Sequence, residues 1–303
     1  MDIAIMIEGQ NGLTWPRWQK LAVAVEGLGF AGLYRSDHFT NTAVPDLDSL
    51  ELWTSLTWLA SHTRRIEFGP LVSPLSVRHP VLTARMAAAV DDLSGGRLTL
   101  GLGAGWQERE HTLFGFDLLT LKERFDRFEE GLEVITLLLK SDHPVIFDGS
   151  YYNLRGATLL PRPGRPGGPR ILIGGNGEKR TLPLAARYAD EWNAVFSLPA
   201  EYSRLSALLD ELLTVQGREP GSVRRSLMTG LCFGRTRKEL DEMLTTRRQS
   251  AEELLKRGFL VGAGEEMKEQ LVGLEKAGVQ RLMLQWLDLD DLDRLVALAK
   301  AIL

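Results

Sequence analysis

The chain has 303 residues, of which 44% are hydrophobic and 25% are charged, and its formal net charge at pH 7 is −4. This composition is ordinary for a soluble globular protein, and no basic block indicates a nucleic-acid partner. No apolar stretch approaches the roughly 20 residues that span a bilayer, and the N-terminus shows no signal peptide. The single cysteine, Cys232, cannot form an internal disulfide, so we expect a cytoplasmic protein without a membrane partner.

Short apolar runs alternate with helix-like segments along most of the chain. The strand-like runs, in chain order, cover residues 3–7, 31–34, 66–68, 98–102, 170–173, 192–196, 226–233 and 281–286. The helix-like segments between them cover residues 15–28, 50–61, 81–93, 121–139, 180–188, 201–215 and 265–277. Strands interleaved with helices of this length indicate right-handed βαβ units and a parallel sheet.

The number of strands favours one closed architecture. A (β/α)8 TIM barrel needs eight parallel strands, so we predict an α/β protein in which residues 1–303 form a single barrel domain. A doubly wound sheet is the alternative, but no glycine fingerprint opens the first helix as that fold requires.

Two insertions interrupt the alternation. Residues 141–169, between strands four and five, are predicted to form a surface excursion, with a β-hairpin whose strands 145–147 and 151–154 flank an Asp148-Gly149 turn. Residues 236–260 are predicted to form a helical insertion before the eighth strand.

Polar residues follow the second strand at the barrel end where active sites lie. The run Ser36-Asp37-His38-Phe39 contains a histidine, the side chain that titrates nearest neutral pH, and an aspartate that can orient it or bind the polar edge of a ligand. His38 is therefore the candidate catalytic residue. The alternative is an Asp-His turn that caps the next helix.

The fifth strand ends in Gly174-Gly175-Asn176-Gly177. Three glycines before a helix allow successive backbone N–H groups to point at one spot, and such a nest binds phosphate without a charged side chain. The alternative is a tight turn that needs a positive φ angle, although a turn needs only one glycine.

Glycines and prolines also mark two neighbouring strand ends. The third strand leads into Gly69-Pro70-Leu71-Val72-Ser73-Pro74, with a proline on each side of Leu71-Val72-Ser73. The fourth strand leads into Gly103, Ala104 and Trp106, where the lack of side chains leaves room for a flat ring against the backbone. Glu108 and His111 follow within one helical turn, but no third ligand is evident, so we predict no metal site.

Together these segments resemble the bacterial luciferase-like family of flavin and deazaflavin oxidoreductases, and within it the branch that uses coenzyme F420. The resemblance covers residues 1–196 and 261–286. It is carried by the runs Gly32-Leu33-Tyr34-Arg35-Ser36-Asp37-His38-Phe39, Leu93-Ser94-Gly95-Gly96-Arg97-Leu98, Gly101-Leu102-Gly103-Ala104-Gly105-Trp106, Arg124-Phe125-Asp126-Arg127-Phe128-Glu129-Glu130 and Ile173-Gly174-Gly175-Asn176-Gly177-Glu178-Lys179.

The resemblance implies a barrel whose mouth holds the cofactor ring, with the cofactor phosphate in the 174–177 loop. It implies a non-proline cis peptide at or beside Pro70-Leu71, which places Pro70, Leu71 and Val72 against the ring. Asp37 would contact the polar edge of the cofactor, and His38 would donate or accept a proton beside the hydride-transfer face. Relatives often form homodimers through barrel helices.

The resemblance also has a departure. Sugar-phosphate dehydrogenases of the family carry an acidic residue where this chain has Trp106, so glucose 6-phosphate is not the expected substrate. Trp106, Trp192, Phe39 and Phe196 are predicted to form an aromatic substrate pocket, and Gln285 and Trp286 its far wall. All six fit equally well as packing residues, and for Phe196 and Trp286 we predict packing.

Three other functions remain open at this point. A two-component monooxygenase would use FMN, supplied by a separate reductase, on the same scaffold. A cofactor-free aldolase or isomerase would need a lysine or a pair of carboxylates at the strand ends, and neither is evident. A non-catalytic flavin-binding protein would hold cofactor without turnover.

Overall fold

A computed structural model describes residues 1–264 and 266–303. Its strands are β1 Asp2–Ile7, β2 Gly32–Arg35, β3 Glu67–Pro70, β4 Ser73–Pro74, β5 Thr99–Gly103, β6 Val145–Asp148, β7 Asn153–Ala157, β8 Arg170–Gly174, β9 Glu191–Val195, β10 Arg224–Gly234, β11 Leu260–Ala263 and β12 Arg281–Gln285. Its α-helices are α1 Trp15–Gly27, α2 Leu52–His62, α3 Pro80–Ser94, α4 Glu108–Phe114, α5 Leu121–Lys140, α6 Thr181–Tyr188, α7 Pro199–Val215, α8 Arg237–Arg247, α9 Ala251–Lys256, α10 Glu266–Lys276 and α11 Leu292–Ile302. The eight predicted barrel strands are all present. The predicted helix 265–277 begins on Glu265, which lies outside the described residues.

The barrel is a nearly closed parallel sheet. Its strands follow the order β3-β2-β1-β12-β10-β9-β8-β5-β4, and every pair in this path is parallel. The seam between β3 and β5 is joined by a bridge from Phe68 to Leu98, with the Phe68 N–H donating to the Arg97 carbonyl. The TIM-barrel prediction is therefore confirmed.

Side chains alternate between the outward and inward faces of each barrel strand, and this separates two apolar clusters. On β1, Ile3, Ile5 and Ile7 pack outward under the helices, whereas Ala4 and Met6 face the barrel interior with Met283 and Tyr34. Side chains alternate faces along a strand, so the position after β1 that continues the inward set is residue 8. The face on which a residue lies therefore decides whether its side chain reaches the barrel mouth.

The insertion between β5 and β8 contains the predicted hairpin with a different turn. Strands β6 and β7 pair antiparallel, but β7 begins at Asn153, so the connection is four residues long rather than Asp148-Gly149 alone. The reason lies in α5: the Glu130 carboxylate accepts the backbone N–H groups of Ser150, Tyr151 and Tyr152, which holds these residues in a loop.

The region 236–260 is helical, as predicted, but it ends in an additional strand. Helices α8 and α9 are followed by β11, which pairs in parallel with the last four residues of β10. Sequence analysis missed this strand because the run Leu260-Val261-Gly262-Ala263 is short. No helix in the described part of the chain is long and apolar enough to cross a membrane.

Candidate active site

A cavity of about 570 Å³ opens at the carboxyl ends of the barrel strands. Its polar lining side chains include Glu8, Gln10, Asn11, Ser36, His38, Asn41, Thr42, Gln107, Glu110, His111, Asn193 and Gln285. Its apolar lining includes Met6, Leu71, Val72, Trp106, Val195, Phe196, Met228 and Leu287. Barrel enzymes carry out their chemistry at this end, so the cavity is the candidate active site.

His38 lines the cavity and is held by a carboxylate that sequence analysis did not single out. Its Nδ1 lies 3.2 Å from Oε1 and 3.3 Å from Oε2 of Glu110. The Phe39 backbone N–H also donates to Glu110, which is buried on α4. With Nδ1–H donating to the carboxylate, Nε2 is the ring nitrogen left to exchange a proton with a ligand.

The same contact shifts both pKa values. Burial lowers the pKa of His38, but the hydrogen bond and charge of Glu110, together with the charges of Glu8 and Asp37, raise it by more, so its pKa lies above the ordinary value. Burial raises the pKa of Glu110, while His38 and the backbone N–H groups of Phe39 and Thr40 lower it by more. The pair therefore favours its ionic form.

Asp37 lies behind the wall of the cavity rather than in it. Its carboxylate accepts the Ser73 hydroxyl at 2.7 Å and two guanidinium N–H groups of Arg78, at 2.6 and 3.0 Å. Arg78 also binds Glu51. Both Asp37 oxygens are thus paired in a buried site, where they anchor the segment before His38, and the contact of Asp37 with a cofactor edge stays a prediction.

The floor of the cavity is built around Val72. The Leu71–Val72 peptide is cis, directly beside Pro70-Leu71 and so within the predicted position. A Cβ added to Gly103 would lie 2.6 Å from Cγ2 of Val72, and one added to Gly174 would lie 3.1 Å from Cγ1. Leu71, Val72 and Gly174 line the cavity, whereas the other predicted ring contacts, Pro70, Gly103 and Ala104, do not.

The 174–177 loop is tied to β9 by several hydrogen bonds. The Gly175 N–H donates to the Asn193 carbonyl at 2.9 Å, so it is not free for phosphate. The Asn176 side chain donates to the Val195 carbonyl at 2.8 Å and accepts the Val195 N–H at 2.9 Å. Gly174 and Gly175 line the cavity, whereas Asn176 and Gly177 lead away from it toward α6, which begins at Thr181.

The predicted aromatic pocket is only partly present. Trp106 lines the cavity, 61% exposed, with its ring centroid 5.6 Å from that of His38. The Phe39 ring points away from the cavity and packs α4 against the barrel. Its centroid lies 5.0 Å from that of Phe114. Trp192 is fully buried on the outward face of β9, where its Nε1–H donates to the Gly175 carbonyl at 2.9 Å. The structure therefore does not place Phe39 and Trp192 on the lining of this cavity.

The remaining predicted pocket residues also differ in whether they reach the cavity. Gln285 lines the cavity and donates to Glu8 at 2.7 Å. Trp286 is buried, as predicted, and its Nε1–H donates to the Asp288 carbonyl at 2.6 Å. Phe196 lines the cavity while stacking on Phe259 at 5.2 Å, so it has both roles.

Two carboxylates, Glu8 and Glu110, line the cavity although sequence analysis found no such pair. Glu8 continues the inward parity of β1, a signal that was present in the sequence. The sequence contained no comparable signal for Glu110, because this residue lies on a separate helix in a run of charged residues.

The nearby His111 bonds to Ser76 and Gln107. The described residues contain no group of three or more potential metal ligands.

Comparison with known proteins identifies the family. The profile of luciferase-like monooxygenases matches residues 1–251, more than four fifths of the chain. The chain belongs to the luciferase-like monooxygenase family. A relative is the F420-dependent glucose-6-phosphate dehydrogenase of Kineococcus radiotolerans, 31% identical over 215 residues, which are 70% of this chain and 62% of that protein. The match thus spans less than two thirds of the length of this relative.

Solved structures of other proteins share the fold. An F420-dependent secondary alcohol dehydrogenase, solved with an F420-acetone adduct, superposes with a TM-score of 0.85 over 99% of this chain and 98% of that one, at 18% identity. A long-chain alkane monooxygenase superposes with a TM-score of 0.84 over 100% and 90%, at 16% identity. The luciferase-like barrel found here is therefore shared by deazaflavin enzymes and monooxygenases alike.

Proposed function

We propose that this protein is an oxidoreductase that binds coenzyme F420 at the barrel mouth and passes hydride between its ring and an organic substrate. The observation that carries the proposal is His38, which lines the cavity with Nδ1 held by buried Glu110 and Nε2 unpaired within the described residues. The similarity to an F420-dependent dehydrogenase supports the choice of cofactor.

The residues at the mouth fit a flat cofactor with a phosphate. Gly103 and Gly174 leave space beside Val72 that a Cβ would fill, which gives a smooth floor. Beyond Gly175, the backbone N–H groups of Asn176 and Gly177 have no acceptor in the described part of the chain, and they support a phosphate site at the start of α6. Bound F420 would supply hydride chemistry.

The protein itself supplies the proton. When an alcohol is oxidised, the hydroxyl proton needs an acceptor, and in the reverse direction a carbonyl oxygen needs a donor. His38 Nε2 serves both directions, while Glu110 fixes the tautomer and stabilises the imidazolium. Trp106, edge-on to His38, restricts the approach of the substrate to this nitrogen.

The second candidate is an FMN-dependent monooxygenase with a separate reductase. The observation that favours it is the fold, since the alkane monooxygenase superposes as well as the alcohol dehydrogenase does. A phosphate loop serves either cofactor.

The homodimer that the family resemblance implies also remains a prediction.

The test is a side-by-side titration of the purified protein with oxidised F420 and with FMN, followed by fluorescence and confirmed by calorimetry. Tight binding of F420 with weak binding of FMN supports the proposal. The reverse order supports the monooxygenase. If neither cofactor bound, both candidate functions would be overturned, and the 174–177 loop would be interpreted as a structural turn.

A further inference from the structure

Glu8 occupies a central position at the mouth of the barrel. It follows β1, which lies between β2 and β12 in the sheet, and it continues the inward-facing set of Ala4 and Met6. Its side chain lines the same cavity as His38. A group held by Glu8 is therefore held in the same chamber as the proton-transfer residue.

A chain of hydrogen bonds fixes the Glu8 carboxylate. Gln285 donates to Oε1 at 2.7 Å, and Gln10 donates to Oε2 at 3.0 Å. The Gly9 backbone N–H donates to the Ser36 hydroxyl at 2.9 Å, and that hydroxyl donates to Oε1 of Gln10 at 2.7 Å. Because the backbone donor determines the direction of the Ser36 hydroxyl, the Gln10 amide group must point toward Glu8.

No cation neutralises Glu8. In the described chain, no lysine or arginine pairs with it, whereas Asp37 is bound by Arg78. A carboxylate has about four lone-pair positions, and two are used here, so acceptor capacity remains toward the cavity. The lining, as far as the structure describes it, also contains no lysine or arginine. A negatively charged substrate would meet two carboxylates, and the one cationic side chain on the described lining, the His38 imidazolium, is already paired with Glu110.

We propose that Glu8 determines substrate specificity by accepting a hydrogen bond from a hydroxyl or ammonium group beside the reacting carbon. The substrate class is thus an uncharged or cationic alcohol, or the matching carbonyl compound, with a second hydrogen-bond donor; anionic substrates are excluded. The polar uncharged side chains of Asn11, Asn41 and Thr42 on the same lining suit a hydroxylated molecule. This inference rests on the proposed function.

The experiment uses four compounds that share a CH3–CH(OH) group: propane-1,2-diol, 1-amino-2-propanol, 1-methoxy-2-propanol and lactate. The kcat/KM of each with oxidised F420 is measured for the wild type, for Glu8→Gln and for Glu108→Gln. Glu108 lies exposed on α4 outside the cavity lining, so its variant makes the same charge change as a matched control. Melting followed by circular dichroism checks that each variant folds.

We expect the wild type to prefer the diol and the amino alcohol and to reject lactate. Glu8→Gln should lower kcat/KM by about tenfold for the amino alcohol and the diol, leave the methoxy compound within about twofold, and raise the value for lactate. Glu108→Gln should change none of them. A uniform loss for all four compounds in Glu8→Gln, or wild-type use of lactate equal to that of the diol, would overturn the proposal.

Ligand-observed NMR on the cofactor-free protein separates this inference from the proposed function. If no compound is turned over, but the wild type binds the diol and the amino alcohol better than Glu8→Gln does, the oxidoreductase proposal fails and the role of Glu8 stands. Equal binding of all four compounds by both proteins would contradict the role of Glu8.

Discussion

Nδ1 of His38 and Oε1 of Glu110 lie 3.2 Å apart although 72 positions separate the two residues in the chain. The histidine follows β2, and the carboxylate lies on α4, after β5. Around the barrel only β3 and the short β4 lie between these two strands, and the contact is buried on the Glu110 side. The barrel therefore brings together a proton carrier and the group that sets its charge.

Replacing His38 with alanine should reduce turnover at least about a hundredfold, because positioned general acid–base groups contribute factors of this size. Cofactor affinity should stay within about threefold, since the expected phosphate and ring contacts are elsewhere. Steady-state kinetics and cofactor titration measure both quantities. Full activity in this variant would remove His38 from the mechanism.

Replacing Glu110 with glutamine should shift the pH profile to lower pH. Burial lowers the pKa of His38 and Glu110 raises it, so removal of the charge leaves burial dominant and the pKa falls. Alcohol oxidation needs neutral His38, so its rate should rise at a lower pH than in the wild type. Carbonyl reduction needs the imidazolium, and its rate at neutral pH should drop. The pH dependence of kcat/KM checks both directions, and an unmoved midpoint would contradict the pairing.

Replacing Gly103 with alanine should weaken cofactor binding by pushing Val72 into the cavity. The added Cβ would lie 2.6 Å from Val72 Cγ2, a separation that forces one of the two side chains to move. Overpacking of this kind costs about 1–3 kcal/mol. The double variant with Val72→Ala should recover affinity, and Gly27→Ala, where no heavy atom lies within 4 Å, is the neutral control. Failure of the double variant to recover would show that Val72 is not the displaced group.

Replacing Arg78 with methionine should lower the free energy of unfolding by about 3 kcal/mol, because it leaves the buried Asp37 carboxylate without its cation. Asp37 is 2% exposed and Arg78 17%. The double variant Arg78→Met with Asp37→Asn should recover most of the loss, since no buried charge then remains. Urea denaturation measures the wild type, the single variants Arg78→Met and Asp37→Asn, and the double variant. An additive loss in the double variant would contradict the interpretation.

Replacing Asn176 with alanine should weaken cofactor binding through the phosphate alone. The change removes the bonds to Val195 that hold the loop against β9. We expect about a tenfold loss of affinity for F420 and little change for the same deazaflavin without its phosphate, because a released loop no longer aligns its N–H groups. Equal losses for both compounds would place the phosphate elsewhere.

The amino-acid sequence by itself determined the barrel and its active end. Eight apolar runs separated by amphipathic helices leave few ways to bury a parallel sheet, and the carboxyl ends of the strands follow from chain direction. His38, Leu71, Val72, Trp106, Gly174, Gly175 and Gln285 were predicted at this end, and the structure places them on the cavity.

Only the tertiary structure decided which neighbouring side chains face the cavity and which partners they meet. Trp192 is one residue from Asn193, yet alternation along β9 turns the tryptophan outward under the helices and the asparagine inward. Asp37 adjoins His38, but Arg78 reaches it from beyond β4. Glu110 meets His38 only because the segments after β2 and β5 come together at the mouth. The separation of the two residues along the chain does not reveal that they are close in space.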